Sequence, residues 1–148
     1  MTVVFFGHRD APQNIQRKLE ETLIHLIEDQ KANNFYVGNQ GSFDSIVKTT
    51  LKKLKQQYSH INYAVVLAYM PGKAEKTDNF DYSVTIFPDG LENTPPKYAI
   101  VKRNRWMIDQ ADVVITYINR NFGGAAKFQE LAKKKNKIVI NLASLDKN

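Results

Sequence analysis

The chain contains no cysteine, which excludes a disulfide framework and any thiolate-held metal. Glycine and proline are sparse, seven and five among 148 residues, too few for a low-complexity linker or a fibrous repeat. No apolar run approaches the roughly 20 residues needed to span a bilayer. The opening MTVVFF has no basic stretch ahead of its apolar residues, so it reads as a first strand rather than a secretion signal. The expected compartment is the cytoplasm, with no membrane partner. No internal repeat or linker divides the sequence, and residues 1–148 are expected to form a single domain able to bury a core.

Acidic residues are in the minority. Lys and Arg number 21 against 15 Asp and Glu, a net charge of +6, which raises the question of nucleic acid. Much of the excess sits at Lys48, Lys52, Lys53 and Lys55, and again at Lys133, Lys134, Lys135 and Lys137. The second group falls near the end of a predicted helix, where cations complement the macrodipole. A solvated basic face accounts for both groups before a partner need be invoked, because net charge governs solubility and steering first.

Hydrophobic periodicity supplies the elements. Continuous β-prone runs occupy 2–6, 35–38, 63–69, 112–118 and 137–142. Helical spacing marks 12–32, with Pro12 suited to the first turn, then a second helix through Ile46, Leu51 and Tyr58, a third over 97–110 and a fourth over 124–136. Between 70 and 96 the pattern weakens into turn signals, among them Pro71-Gly72 and Pro88-Asp89-Gly90, with a short extended piece at 83–87. Strands that are apolar throughout and alternate with helices predict an α/β fold with a mainly parallel sheet covered on both faces. Right-handed crossovers then yield a Rossmann-like, doubly wound three-layer sandwich.

In such a sheet, ligands lie beyond the carboxyl ends of the strands, where strand order reverses. Three segments leave strand ends with suitable chemistry: Gly7-His8-Arg9, GNQGSFD from Gly38 to Asp44, and NRNFGGAAKFQE from Asn119 to Glu130. Gly41 and Ser42 offer backbone N–H groups and a hydroxyl at a helix start, an anion-binding device that Gly123-Gly124 repeats. Each glycine pair also fits a helix cap and tight turn. Arg9 supplies a planar cation suited to phosphate. His8 is either a hydrogen-bonding loop histidine or a catalytic one. Asp44 is placed to bond a ribose hydroxyl or to stabilise the first turn of its helix. No cofactor is expected: GNQG lacks the G-x-G-x-x-G spacing, and no Gly-Lys-Ser/Thr phosphate loop occurs. The scattered His8, His25 and His60 suggest no metal set.

Taken together, FGHR, VGNQGSFD, RNRWMIDQADVVITY and FGGAAKFQELA resemble the SLOG superfamily, the Rossmann-like group named after the DprA/SMF and LOG proteins. The branch they look most like is the short YpsA-like bacterial proteins. The resemblance implies a pocket for a nucleotide or nucleotide-derived small molecule. LOG enzymes hydrolyse the N-glycosidic bond of a nucleoside 5′-monophosphate with an R-K-x-x-M segment and a P-G-G-x-G-T-x-x-E loop. Against the first, Arg103 and Met107 match and Asn104 stands where the family has Lys. Against the second, Gly123, Gly124 and Glu130 match, while Phe122, Ala126 and Lys127 replace the proline, the third glycine and the threonine.

Three functions are therefore set against one another. The first is nucleotide binding, as a sensor, through Gly7, His8, Arg9, Gly38, Gln40, Gly41, Ser42, Asp44, Asn104, Gly123, Gly124 and Lys127. The second is phosphoribohydrolase chemistry, with Glu130 stabilising an oxocarbenium-like ribose and Arg103 the developing negative charge. The third is binding of single-stranded nucleic acid, which needs aromatics interleaved with the lysines; Tyr58, Tyr63 and Tyr69 are the available rings. The resemblance also implies a homo-oligomer, for which Trp106 is a candidate contact as well as a core residue.

Overall fold

A computed structural model describes residues 1–69 and 85–143. Within it, β1 (Thr2–Gly7) leads through a short 3-10 turn at Gln13–Ile15 into α1 (Gln16–Asp29), β2 (Asn34–Val37), α2 (Gly41–Gln57) and β3 (Asn62–Val66). Then follow β4 (Thr85–Ile86), a 3-10 turn at Leu91–Asn93, α3 (Pro96–Gln110), β5 (Val113–Tyr117), α4 (Gly124–Lys134) and β6 (Ile138–Asn141). The Pro71-Gly72 turn and the first two residues of the expected piece at 83–87 lie outside the described residues. Of the remainder, Thr85–Ile86 is β4 and Phe87 follows it. Pro12 precedes the 3-10 turn instead of opening the long helix, because the helical repeat begins only at Gln16.

All six described strands are parallel, in the order β4-β3-β2-β1-β5-β6. This is the doubly wound α/β sandwich that unbroken apolar strands demand, since both faces of the sheet are covered. The period of two sorts each strand between the faces. Val3, Phe5, Phe35, Val65, Val113 and Ile115 pack with Leu19 and Leu23 of α1 and with Phe43, Val47 and Leu51 of α2. Val4, Phe6, Val66 and Val114 turn the other way, onto Met107 and Ile108 of α3 and Phe128 and Ala132 of α4. Trp106 is half-buried and tilts against Tyr36, ring centroids 5.4 Å apart, so part of its surface is used within the chain.

Strand order reverses at β1. The chain builds outward from it through β2, β3 and β4, then crosses by α3 to β5 on its other side. The carboxyl ends of β1 and β5 thus flank the switch point, with β2 adjoining, and a ligand crevice is expected above them. Among the described residues, no helix is long and apolar enough to cross a membrane.

Candidate functional site

Gly7 stands in register with Tyr117, so the loops after β1 and β5 leave the sheet side by side. The His8 N–H donates to the Tyr117 carbonyl at 3.2 Å. The residue is 4% exposed, and its Nε2 accepts the Asn119 N–H at 3.3 Å. An accepting Nε2 requires the neutral ring with its proton on Nδ1. Burial holds this imidazole below its ordinary value; the Arg120 guanidinium lowers it further and Asp10 opposes both. Asp10 also takes two bonds of 3.3 Å from Arg120, tying the first loop to the third.

The second loop locks onto the first from the other side. Gly41, at φ 88°, brings the start of α2 against Arg9; a Cβ there would lie 2.7 Å from the Arg9 Cα. The Ser42 N–H donates to the Arg9 carbonyl at 2.8 Å and the Ser42 hydroxyl to the Ala11 carbonyl at 2.6 Å. The sequence offered these two Ser42 groups, with the Gly41 N–H, to a phosphate, and in the structure both Ser42 groups bind neighbouring backbone. The Arg9 Nη2 reaches Gln40 Oε1 at 3.4 Å. Asp44 folds back over the first turn of α2, accepting the Gln40 N–H at 2.9 Å.

Arg103 approaches from α3. It is 2% exposed, donating Nε to Asn104 Oδ1 at 2.7 Å and Nη1 to the Val66 carbonyl at 3.0 Å. Gly38 is the seat for this cation and Asp44 together: an added Cβ would stand 2.8 Å from Asp44 Oδ2 and 2.9 Å from Arg103 Nη1. Burial pushes the Asp44 carboxyl up to about 6, against the Gln40 N–H and the positive charges of Arg103, Lys48 and Arg9. Burial likewise lowers Arg103 from its ordinary value, and the Asp44 charge opposes that. At neutral pH the two remain oppositely charged, with the cation better furnished with hydrogen bonds.

α4 closes the ring. Gly123 has φ 97°, a conformation that favours glycine, and a Cβ on Gly123 or Gly124 would meet nothing within 4 Å. Both therefore border open space at a helix start. The result is a cavity of about 410 Å³, lined by Gly7, His8, Arg9, Gly38, Gln40, Asp44, Arg103, Asn104, Gly123 and Gly124 of the expected residues. Among the described residues, Phe5, Phe6, Ile100, Val101, Arg120, Ala125 and Phe128 also line it. Of these additions, Arg120 had a signal in the sequence, a cation just past a strand end. The apolar members had none, because a core phenylalanine and a pocket phenylalanine look alike.

Gly41 and Ser42 lie outside that lining. So do Lys127 and Glu130, which with Arg105 and Lys134 line a neighbouring hollow of about 650 Å³ that shares Val101, Gly124 and Phe128 with the first. Glu130 is exposed, 3.5 Å from Lys133 Nζ, and also borders a third hollow beside Asn119 and Gln129. Arg103 and Glu130 do not share a cavity among the described residues. Of the α2 lysines, Lys48 bonds Asn39, Lys53 pairs with Glu20, and Lys55 bonds the carbonyls of Ser59 and Ile61. Among the described residues there is no cluster of three or more His, Asp or Glu suited to a metal.

Parallel strands, a cavity at the switch point and glycine loops around it define a Rossmann-like α/β architecture. The family model described as the YspA SLOG family, YpsA, matches residues 2–146. The chain belongs to that family. No curated protein matches it.

Proposed function

We propose that the switch-point cavity binds a nucleotide or nucleotide-derived small molecule, and that sensing such a molecule is the protein's role. The observation that carries this is the convergence of Arg9, Arg103 and Arg120 with the open α4 start on one cavity of about 410 Å³. That volume lies within the range of small-molecule pockets, and among the described lining residues three guanidinium groups face one carboxylate, that of Asp44. Guanidinium groups and free N–H groups at a helix start both suit phosphate. Membership of the SLOG family supports the same ligand class.

The phosphoribohydrolase alternative draws less support, since Glu130 opens onto a different hollow from Arg103. Binding of single-stranded nucleic acid is weakened by the internal partners of Lys48, Lys53 and Lys55. Self-association belongs to the proposal as well, with exposed Tyr98 and Val101 of α3 as apolar surface for a second copy.

The test is a thermal-shift titration with nucleoside mono-, di- and triphosphates, cyclic nucleotides and ADP-ribose. A saturable rise in midpoint is expected for at least one, since a ligand that binds only the folded state stabilises it. Arg9→Ala should weaken that ligand by on the order of tenfold. A flat panel counts against the proposal. Chromatography for released base, with Glu130→Gln beside the wild type, separates binding from hydrolysis.

A further inference from the structure

On the basis of the nucleotide pocket proposed above, we infer that Phe122 is the stacking platform for a planar aromatic group of the ligand. Phe122 is 67% exposed, the most exposed of the described large apolar side chains. A lone exposed phenylalanine needs no explanation by itself. Its setting is what marks it. It lies between Arg120 and Gly123, both of which line the cavity.

One face of the ring is backed: the Arg120 guanidinium lies over it, 5.5 Å from the centroid. Arg120 is anchored in turn by its two bonds to Asp10 on the neighbouring loop. The ring is therefore steadied by a cation that itself borders the pocket, with most of the side chain left to solvent. Beside it, Gly123 and Gly124 leave the space around their Cα atoms open.

Among the described residues, the other strongly exposed apolar side chains lack this combination. Tyr98 carries the Lys97 ammonium over its ring, and Ile138 begins β6, at the amino end of the sheet, away from the crevice. A phosphate held by the arginines and glycines would leave a base free to reach the rim. Stacking on an aromatic ring tolerates any base, because every base has a π-face. The ligand class is thus a phosphorylated molecule with a planar aromatic group, and Phe122 selects for that group without choosing among bases.

The experiment compares the four common nucleoside 5′-monophosphates with ribose 5-phosphate, by calorimetry, on wild type, Phe122→Leu and Phe122→Trp. Phe122→Leu is expected to weaken the tightest monophosphate on the order of tenfold, to leave ribose 5-phosphate unchanged and to keep the thermal midpoint. Phe122→Trp is expected to restore the affinity and to show emission quenched by the base, beyond any change from Trp106. Unchanged affinity in Phe122→Leu, or an equal loss on both probes, overturns the inference while leaving the pocket standing. So does a loss of self-association with nucleotide affinity intact, which would mean that a second copy covers the ring. Failure of wild type to bind any probe overturns the pocket function and this inference with it.

Discussion

The ring of Phe43 lies over Gly7 so closely that a Cβ on Gly7 would stand 2.3 Å from the ring's Cγ. The glycine of FGHR and the phenylalanine of GSFD are thus two halves of one contact, joining the end of β1 to the first turn of α2. Phe43 is fully buried and cannot swing out to solvent. Gly7→Ala is therefore expected to destabilise the fold by about 1–3 kcal/mol, the usual cost of overpacking. Combining it with Phe43→Leu should recover part of the loss. Purely additive denaturation midpoints would show that the two do not meet.

Ser42 donates its hydroxyl to the Ala11 carbonyl and its N–H to the Arg9 carbonyl. Ser42→Ala should lower stability by about 1 kcal/mol, the typical net worth of a hydrogen bond. Its effect on nucleotide affinity should be smaller than that of Arg9→Ala. A large affinity loss at unchanged stability would point instead to a direct ligand contact.

Asp44 sets a pH dependence whose sign is definite. Its carboxyl is raised from the usual 3.8 to about 6 in the folded protein, so the fold binds its proton more tightly than the unfolded chain does. Its contribution to stability is full below about pH 4 and is lost as pH rises through 6. The shift from 3.8 to about 6 corresponds to about 3 kcal/mol. Asp44→Asn should flatten that part of the stability profile and raise the midpoint at pH 8 relative to wild type. A profile identical to wild type between pH 4 and 7 would contradict the raised value.

His8 acts in the opposite sense. Its value is lowered, first by burial, so the unfolded chain takes up the proton more readily. The stability it contributes is present above about 6.5 and is lost as pH falls through the lower folded value. An NMR titration should find the His8 ring as the Nδ1–H tautomer, with its Nε2 accepting from Asn119. A resonance that titrates above 6.5 would show that the Asn119 bond does not form.

Much of the fold was legible because a parallel sheet covered on both faces needs unbroken apolar strands, and runs such as YAVVLAY and DVVITYI satisfy that need directly. The three loops were legible as a group too, since parallel strands place their carboxyl ends, and so Gly7, Gly38 and Gly123, along one edge of the sheet. What each loop residue does was far less visible. Gly41 and Ser42 carry the pattern of an anion site, yet the neighbouring Arg9–Ala11 backbone takes the hydrogen bonds of Ser42. Arg103 reads as one member of a basic cluster with Arg105, but α3 turns Arg103 and Asn104 inward and leaves Arg105 exposed. A weakly amphipathic helix does not announce which of its polar residues faces the sheet.

By itself, the sequence determined the α/β class, the order of the elements and the family, because periodicity, strand composition and motif order are local properties carried along the chain. Only the tertiary structure decided that strand order reverses at β1, bringing segments more than a hundred residues apart, His8 and Asn119, within hydrogen-bonding reach. It also set Arg103 and Glu130 on different hollows, the first buried and the second exposed, although motif spacing suggests a pair. The reason is physical: which loop meets which depends on the packing of helices against both faces of the sheet, and that energy belongs to contacts between distant residues rather than to any stretch of the chain.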